Sequence, residues 1–441
     1  MPSSSLKHAI VIGLGISGMA AVRLLKSQGC RVTGMDERAG RSDYQEIPDA
    51  FIPMICPETL LGADLIILSP GVDPRRPELE KARQKKIPVI GELALGLRQL
   101  TLPFVAITGT NGKSTVTELV GAMLTASGKK VFTGGNLGLP LCDFVLQGCP
   151  ADIAVLEVSS FQLDTLESFT PDVAVLLNIS PDHLDRYPDM AAYATSKARI
   201  FKDMKKGIAV LNHKDPTVRA IGEKLSLTTH WYDREKDGTG IREKGLILEN
   251  GKVLDLSHFP LPGRHNLENL AAALLTAKAA GATEEGMEKA IGNFCGLEHR
   301  MTPVGSIRGI PCYDDSKATN MDAVCRALSA FKRDVVLIMG GRDKGGDYRA
   351  MEESVRRYAR SLILMGEAAD AIEQALGHMV PCRRAKDMED AVKKAVQAAD
   401  SQTPILLSPA CSSFDMFRDY KDRGMQFRRA VVRFAAEEVL P

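Results

Sequence analysis

FVAITGTNGKST, residues 104–115, begins as an apolar run and ends in a glycine-rich loop with a lysine and two hydroxyl side chains. The run predicts a buried strand over Phe104–Thr108, and the following residues predict a helix from about Ser114 to Ala126. A glycine-rich turn between a strand and a helix lets backbone N–H groups and the helix dipole hold a phosphate group. This stretch therefore predicts a nucleotide-binding loop between a sheet strand and a helix.

The side chains of this loop suit ATP bound with Mg²⁺. Lys113 supplies a positive charge to the phosphates, and the hydroxyl of Ser114 or Thr115 can ligate Mg²⁺. Ile107 stands where the general G-x-x-x-x-G-K-[ST] pattern has its first glycine, so a strict search would miss the loop. A glycine turn with a surface lysine is the alternative, and the strand–turn–helix context disfavours it. We expect ATP to contact Gly109, Thr110, Asn111, Gly112, Lys113, Ser114 and Thr115.

The alternation of short apolar runs with helical patterns extends along all 441 residues. It predicts α/β architecture, with parallel sheets covered by helices on both faces. Breaks near Gly96 and over Phe294–Pro303 divide the chain into three consecutive α/β domains: N-terminal Rossmann-like, central P-loop ATPase-like and C-terminal Rossmann-like. The predicted bounds are 1–96, 97–298 and 299–441. Within the central part, residues 241–256 predict a hairpin-like pair of strands.

Composition limits the possible classes of function. With 56 basic and 55 acidic residues the formal net charge is +1, which argues against a nucleic-acid binder. Nine cysteines without C-x-x-C spacing indicate reduced thiols rather than disulfides or a zinc site. No apolar run approaches the roughly 18 residues of a membrane helix, and glycines interrupt the N-terminal run. We expect a cytoplasmic monomer that binds neither nucleic acid nor membrane.

A second glycine-rich loop, GLGISG at residues 13–18, follows the first predicted strand. This G-x-G-x-x-G pattern, with Asp36 ending the second predicted strand, predicts NAD if taken literally. The pattern specifies only a pyrophosphate at a helix N-terminus, so the identity of the ligand stays open. An NAD-dependent dehydrogenase is therefore one alternative.

Five further motifs occur in order along the chain: LEVSSFQLD (156–164), SPDHLDRY (180–187), GRHNLENLAAA (263–273), DDSKATN (314–320) and LSPACSSFDMF (407–417). The phosphate loop is similar to those of the Mur ligases and folylpolyglutamate synthetases. The ordered set resembles the Mur ligases over essentially the whole chain, and SSFQL and DSKATN resemble the members that add D-glutamate. The resemblance implies ATP-dependent joining of D-glutamate to UDP-N-acetylmuramoyl-L-alanine through an acyl phosphate, in peptidoglycan precursor synthesis.

The resemblance also implies metal-binding and catalytic residues. A carboxylate brought to a triphosphate needs metal ions to neutralise the like charges. Glu157 is implied to hold Mg²⁺ with the loop hydroxyl, and His183 to bind a second ion. Lys197 is implied to be carbamylated by CO₂, which turns a cation into an oxygen ligand. Standing alone, these three would be interpreted as solvated or structural side chains. The implied metal ligands are Ser114, Glu157, His183 and Lys197, and the implied catalytic residues are Lys113, His183 and Lys197.

Further residues are expected to bind ATP outside the phosphate loop. Asn266 and Asn269 lie three apart on one predicted helix and suit hydrogen bonds to adenine, although helix capping and solvation are alternatives. Arg300 and Asp315 resemble nucleotide contacts contributed by the C-terminal domain. Most relatives have asparagine before that aspartate, whereas this chain has Asp314, which adds a charge there.

The two remaining substrates are assigned to the outer domains. D-Glutamate presents two carboxylates and needs cations and donors, and the resemblance implies Thr319, Lys344, Ser413, Phe414 and Tyr420. In the N-terminal domain the resemblance implies a uridine diphosphate group rather than NAD. The implied contacts are Ile16, Ser17, Asp36, Arg38, Gly71 and Asn136.

Three alternatives to a D-glutamate ligase remain on sequence grounds. A sister Mur ligase would add another amino acid with the same ATP chemistry. An NAD-dependent dehydrogenase would use the N-terminal glycine loop. A nucleotide-binding regulator would lack catalysis, although the ordered metal and lysine residues disfavour it.

Overall fold

The computed structural model describes residues 6–37, 48–234, 240–242, 245–247, 253–256, 259, 261, 263–331 and 334–436. The chain divides into two compact units. The first comprises Met1–Ile179, Ala191–Asp255 and Asn269–Asn293. The second comprises Ser180–Met190, Leu256–Glu268 and Phe294–Pro441.

The first sheet of the first unit is fully parallel, with strand order β3-β2-β1-β4-β5. Alternate residues of β1 point to opposite faces, so Ala9 and Val11 pack with one hydrophobic cluster and Ile10 and Ile12 with another. Its strands are β1 (His8–Ile12), β2 (Arg31–Met35), β3 (Ala50–Ile52), β4 (Leu65–Leu68) and β5 (Val89–Gly91). Its helices are α1 (Ile16–Ser27), α2 (Pro57–Leu60), α3 (Glu80–Gln84) and α4 (Glu92–Leu97).

The second sheet is also parallel, with strand order β11-β10-β9-β6-β8-β7. Its strands are β6 (Phe104–Thr108), β7 (Val131–Gly135), β8 (Ile153–Glu157), β9 (Val173–Leu176), β10 (Ile208–Asn212) and β11 (Thr228–Tyr232). The helices in this part of the chain are α5 (Lys113–Ala126), α6 (Leu141–Leu146), α7 (Ser160–Leu163), α8 (Met190–Ala198) and α9 (Pro216–Gly222). Since β6 lies between β8 and β9, the phosphate loop follows an interior strand of the sheet and has strand ends on both sides of it.

A small antiparallel sheet follows, with order β12-β13-β14. Its strands are β12 (Gly240–Arg242), β13 (Gly245–Ile247) and β14 (Val253–Asp255), where the sequence predicted a hairpin of two strands. Two helices complete the central part, α10 (Arg264–Ala279) and α11 (Glu284–Asn293).

The third sheet belongs to the second unit and has the order β15-β16-β20-β17-β18-β19, in which only the β15–β16 pair is antiparallel. Its strands are β15 (Thr302–Ile307), β16 (Ile310–Asp314), β17 (Val335–Gly340), β18 (Ala359–Met365), β19 (Cys382–Arg384) and β20 (Ile405–Leu407). Its helices are α12 (Met321–Phe331), α13 (Glu352–Tyr358), α14 (Ala369–Leu376), α15 (Met388–Ala398) and α16 (Tyr420–Ala436).

Three parts in succession, each built on a parallel or mainly parallel sheet, confirm the predicted α/β fold class. The domain bounds at residues 96/97 and 298/299 stay predictions. No helix among the described residues is both long and apolar enough to cross a membrane.

Candidate active site

The phosphate loop connects β6 to α5 and depends on two glycines. Gly112 has a φ of +88°, and a Cβ there would lie 2.2 Å from Asn269 Oδ1. Gly109 has a φ of +153°, and a Cβ there would lie 2.9 Å from the Cβ of Leu177. Both positions combine a left-handed backbone with no space for a side chain, so glycine is required at each.

Asn178, just after β9, holds the loop in place. Its Oδ1 accepts a hydrogen bond of 2.8 Å from the Asn111 N–H, and its Nδ2 donates to the Asn111 carbonyl at 3.0 Å. The Thr110 N–H donates to the Asn178 carbonyl at 2.9 Å. The sequence-based prediction missed this residue, and the available signal was a polar side chain ending the apolar run from Val173.

Lys113 lies folded over the same loop. Its Nζ donates to the carbonyl oxygens of Gly109 and Thr110, each at 2.9 Å. The ammonium charge is therefore held within the glycine-rich turn, close to where phosphate oxygens would bind.

Ser114 and Glu157 form a buried pair of oxygen-bearing side chains beside the loop. The Ser114 hydroxyl donates to Glu157 Oε2 at 2.6 Å, and Asn136 Nδ2 donates to Glu157 Oε1 at 2.7 Å. Both Ser114 and Glu157 are almost fully buried. A carboxylate and a hydroxyl at the start of a phosphate-binding helix are the ligand types that Mg²⁺ takes, so this pair fits the predicted ion.

The SSFQL segment has a local structural role directly after Glu157. Ser159 and Gln162 form a capping box, in which the Gln162 N–H donates to Ser159 Oγ at 3.2 Å. The Ser159 N–H donates to Gln162 Oε1 at 3.0 Å. This reciprocal cap begins α7 and fixes the chain where β8 delivers Glu157.

Lys197 also contacts the phosphate loop and is only 1% exposed. Its Nζ donates to the Gly109 carbonyl at 2.8 Å and lies 4.6 Å from the centre of the Tyr193 ring. The Tyr193 hydroxyl accepts a hydrogen bond from Thr110 Oγ1 at 3.3 Å, so Tyr193 is a further residue that the prediction missed. An ammonium has no lone pair, and Lys197 fits a metal only after modification.

His183 belongs to the second unit, whereas Ser114, Glu157 and Lys197 belong to the first. The structure thus brings Ser114 and Glu157 into contact and Lys197 to the same loop. His183 has a φ of +56°, and its N–H donates to Asp182 Oδ1 at 2.9 Å. In the described part of the chain, no three His, Cys, Asp or Glu side chains form a group suited to a metal ion.

The two predicted adenine-binding asparagines are both buried on α10 but are assigned to different units. Asn269 lies against Gly112 of the phosphate loop in the first unit. Asn266 lies near the start of α10 in the second unit, where its N–H donates to the Gly263 carbonyl at 3.1 Å. The structure therefore brings Asn269 to the phosphate loop.

Arg300 and Asp315 lie in the second unit, just before β15 and just after β16, at the end of this pair where Thr302 lies opposite Asp314. Burial raises the pKa of Asp315 to about 7, although a hydrogen bond from Ser408 and the positive charge of Arg300 both act to lower it. Asp314, the departure from the family pattern, accepts a 2.6 Å hydrogen bond from His299 Nδ1. The additional carboxylate therefore has a partner of its own.

The N-terminal glycine loop borders a cavity of about 640 Å³. Gly13 has a φ of +82°, and a Cβ on Gly18 would lie 1.9 Å from the Gly13 carbonyl, so the turn requires both glycines. Asp36 Oδ2 accepts a 2.7 Å hydrogen bond from the Leu14 N–H. Arg38 lies outside the described residues. All the other residues predicted to bind uridine diphosphate line the cavity, namely Ile16, Ser17, Asp36, Gly71 and Asn136.

Glu37, Asp73 and Arg76 also line this cavity, and the prediction missed all three. The sequence features that could have indicated them are the charged residues after the Ser69-Pro70-Gly71 turn and the second acidic residue directly after Asp36. Charged residues in loops are usually solvated, so the pattern alone did not distinguish them.

A smaller cavity of about 30 Å³ lies in the second unit and contains Thr319 and Lys344. Lys344 Nζ donates to Asp182 Oδ1 at 3.0 Å and to the Thr319 carbonyl at 3.2 Å. Burial alone would raise the pKa of Asp182, but the charges of Lys344 and His183 outweigh it and hold that pKa at about 2. Asp182 also accepts from Asn320 Nδ2 at 3.1 Å. The ion pair was not predicted, although Asp182 stands beside His183 in the SPDHLDRY motif.

The other predicted D-glutamate residues do not line this cavity. Ser413 is buried, and its carbonyl accepts from the Phe417 N–H at 2.8 Å. Phe414 is 66% exposed. Tyr420 begins α16 and meets the His299 ring edge-on at 6.0 Å. Thr319, Lys344 and Ser413 nevertheless follow three adjacent strands, β16, β17 and β20.

Three domain models of one family match successive parts of the chain. They are the N-terminal domain of MurD-like Mur ligases at residues 7–91, the Mur ligase middle domain at 107–277, and the Mur ligase glutamate ligase domain at 299–411.

Two curated relatives carry the name UDP-N-acetylmuramoylalanine–D-glutamate ligase. The protein from Desulfosudis oleivorans is 44% identical over 440 residues, which cover 96% of each chain. That from Desulfatibacillum aliphaticivorans is 42% identical over 444 residues, covering 96% of this chain and 98% of the relative. Among solved structures, the MurF ligase from Thermotoga maritima in complex with ADP has a similar fold. Its TM-score is 0.64 at 16% identity, with 99% of this chain and 96% of that chain covered.

Proposed function

Because the chain belongs to the Mur ligase family, we propose that it is an ATP-dependent ligase that joins D-glutamate to UDP-N-acetylmuramoyl-L-alanine in peptidoglycan synthesis. The observation that carries the proposal is near-full-length identity of 44% and 42% with two ligases of that name. The phosphate loop, with Ser114 and Glu157 paired beside it, supports the ATP chemistry.

The proposed reaction has two steps. The carboxylate of the L-alanyl group attacks the γ-phosphorus of ATP, which forms an acyl phosphate and releases ADP. The amine of D-glutamate then attacks the acyl carbon, phosphate leaves, and the amine loses a proton as the amide forms. Loop N–H groups and Lys113 bind the phosphates and stabilise the charge that develops on them.

We infer that Ser114 and Glu157 would hold Mg²⁺ in this reaction. When bound, Mg²⁺ supplies positive charge that lowers the repulsion between carboxylate and triphosphate. Asn136 orients Glu157 through its 2.7 Å hydrogen bond. For a second ion we keep His183 and a carbamylated Lys197 as proposed ligands. Burial of Lys197 beside the loop supports the modification, because desolvation favours the neutral, reactive amine.

The N-terminal cavity is the proposed site for the uridine diphosphate group. Asn136 both lines that cavity and donates to Glu157, so the substrate cavity and the Ser114–Glu157 pair adjoin each other within the first unit. A substrate held by its nucleotide at the glycine loop would extend towards the phosphate loop. This arrangement supports a ligase substrate over NAD.

Lys344 is the proposed cation for one carboxylate of D-glutamate, with Thr319, Ser413, Phe414 and Tyr420 as the other proposed contacts. Asn266, Asn269, Arg300 and Asp315 are kept as proposed ATP contacts. Asp182 supports the role of Lys344, because it holds the ammonium at 3.0 Å in a defined position.

We further propose the three domain bounds given by the sequence and a cytoplasmic monomer.

The deciding experiment measures ADP release from ATP with UDP-N-acetylmuramoyl-L-alanine and D-glutamate. We expect release that depends on both, little release with L-glutamate, and none with UDP-N-acetylmuramate and L-alanine. Release in the last mixture alone would instead support a sister ligase. A change at the nicotinamide absorbance band with NAD would support a dehydrogenase.

A further inference from the structure

Three residues form an ion-pair cluster beside the N-terminal cavity, Glu37–Arg76–Glu78, of which Glu37 and Arg76 line it. Arg76 donates to Glu37 with Nη2 at 2.6 Å and Nη1 at 3.1 Å, a two-pronged pair. It also donates to Glu78 with Nη2 at 2.8 Å and Nε at 3.4 Å. Two carboxylates thus fix one planar guanidinium, which is a geometry that arginine suits and lysine does not.

The cluster bridges two separate segments of the first sheet. Glu37 follows β2, whereas Arg76 and Glu78 follow β4, and these two strands flank β1. Two strand spacings separate the segments by roughly 10 Å, a gap that a glutamate and an arginine side chain together can span. The Glu37–Arg76 pair therefore lies beside the glycine loop that leaves β1, and both residues line the cavity.

Charge at the cavity makes this arrangement unusual for a phosphate ligand. The ionisable side chains that line the cavity among the described residues are Asp36, Glu37, Asp73 and Arg76. Three are acidic, and the single cation is held by two carboxylates. Backbone N–H groups at the start of α1 are suited to the phosphates, and the acidic edge is suited to ligand groups that donate hydrogen bonds.

The nucleoside supplies such donors. In sheets of this type the pyrophosphate lies at the first helix, and an acid after the second strand accepts from the ribose hydroxyls. Asp36 has the expected position, but its Oδ2 accepts from the Leu14 N–H and so closes the glycine loop. Glu37 is the next carboxylate along the same edge, and Arg76 holds it at the cavity.

We propose that Glu37 binds the ribose hydroxyls of the uridine nucleotide, and that Arg76, fixed by Glu78, is the positioning residue that holds the Glu37 carboxylate at the cavity. This inference rests on the proposed function, because it takes a uridine diphosphate group as the ligand. It adds two residues to the substrate site that neither the sequence motifs nor the family resemblance indicated.

The first test compares substrate kinetics of Arg76→Gln and Glu37→Ala with those of the unchanged enzyme. We expect the KM for UDP-N-acetylmuramoyl-L-alanine to rise about 10- to 100-fold in each, as for loss of a charged hydrogen bond, with kcat and the KM for ATP within about twofold. Arg83→Gln, on α3 and away from the cavity lining, is the matched control and should leave all constants unchanged. Arg76→Lys should give a KM between those of the unchanged enzyme and Arg76→Gln, because lysine keeps the positive charge but cannot make the two-pronged hydrogen bonds of a guanidinium.

A second test separates positioning from direct contact. Since Arg76 acts through Glu37, the double variant should bind substrate within about twofold of Glu37→Ala alone, whereas independent contacts would multiply. Calorimetry with UDP and 2′,3′-dideoxy-UDP should give a preference for UDP of at least about tenfold that falls below about threefold in Glu37→Ala.

The outcomes distinguish this inference from the proposed function. If the unchanged enzyme binds UDP and releases ADP with D-glutamate, but both variants keep their KM and the preference for UDP, only the inference is wrong. Multiplicative effects in the double variant would overturn the positioning role of Arg76. If the unchanged enzyme binds NAD and not UDP, the proposed function itself is wrong.

Discussion

At the scale of single residues, Lys113 shows how the phosphate loop prepares a charge for ATP. Its ammonium is held by the carbonyls of Gly109 and Thr110, while Asn178 fixes the backbone separately. We therefore expect Lys113→Ala to fold normally and to lose at least about 10²-fold in turnover, as for one preorganised donor. ADP release and thermal unfolding measure the two effects, with Lys224→Ala, an exposed residue just after α9, as control. Near-normal turnover would contradict the loop assignment.

Lys197 provides a second prediction at this scale. If its carbamate is needed, Lys197→Ala should be inactive but partly restored by short carboxylic acids, which supply the missing oxygen ligands in the space left by the buried side chain. ADP release with and without added acetate or formate measures the rescue. Lys113→Ala in the same acids is the control, since it lacks a cation and should not recover. Equal recovery of both variants would indicate a general effect of the acids.

How far the sequence predicted individual site residues depended on their context. Ser114 was predicted from its place after a lysine in a glycine loop, and Glu157 from the family resemblance. The structure pairs the two side chains at 2.6 Å. Asn178, Asp182 and Arg76 were missed because each is a common polar residue in a loop. Their roles arise from partners that are 67, 162 and 39 positions away, namely Asn111, Lys344 and Glu37.

At the scale of elements, the interior strand that leads into the phosphate loop was predicted best. Phe104–Thr108 begins and ends as expected, because a continuous apolar run is typical of a strand buried on both faces. The antiparallel pair β15–β16 was missed. Its strand Thr302–Ile307 is half-exposed and contains a register shift between Pro303 and Gly305, which hides the alternation.

The loop-to-helix junction gives a prediction with a close control. Gly112 and Gly128 begin and follow α5 with the same φ of +88°, but a Cβ meets Asn269 at 2.2 Å only at Gly112, and open space at Gly128. Alanine at either position should cost about 1–2 kcal/mol of stability from the left-handed backbone. Only Gly112→Ala should also disturb the ATP site, lowering kcat/KM for ATP by about 10²-fold. Urea unfolding and ADP-release kinetics measure the two effects, and equal activity of both variants would contradict the role of Gly112.

At the scale of the whole molecule, the prediction of a Mur ligase with three α/β parts is confirmed by the three family models and the relatives. The sequence did not predict that the first two sheets would fall in one compact unit. Helix α6, from the central part of the chain, packs on α1 and α4 beside the first sheet, and Arg23 pairs with Asp143 at 2.7 Å. Such helix–helix contacts depend on residues far apart in sequence, which local sequence patterns do not encode.

Glu92 on α4 lies in this contact with α6, and its burial makes the stability of the protein depend on pH. The side chain is 1% exposed, and its Oε1 accepts from the Cys142 N–H at 2.7 Å. Its Oε2 has no hydrogen-bond partner among the residues that the structure describes. Burial raises its pKa to about 7, against 4.5 for an ordinary glutamate. The unfolded chain therefore releases this proton at lower pH than the folded chain. The stability that neutral Glu92 contributes is complete below about pH 4.5 and is lost as the pH rises to about 7.

Glu92→Gln tests this argument, because glutamine keeps the acceptor for Cys142 and cannot ionise. Relative to the unchanged protein, the variant should gain stability between pH 4.5 and 7.5, by up to about 3 kcal/mol. Urea unfolding at both pH values measures the change. Leu93→Ala, at the neighbouring buried position, should cost about 2–5 kcal/mol equally at both. The free energy of unfolding of Glu92→Gln, relative to that of the unchanged protein, could instead stay constant with pH. That result would mean that Glu92 is ionised in the folded protein, and that the Cys142 N–H alone compensates its burial.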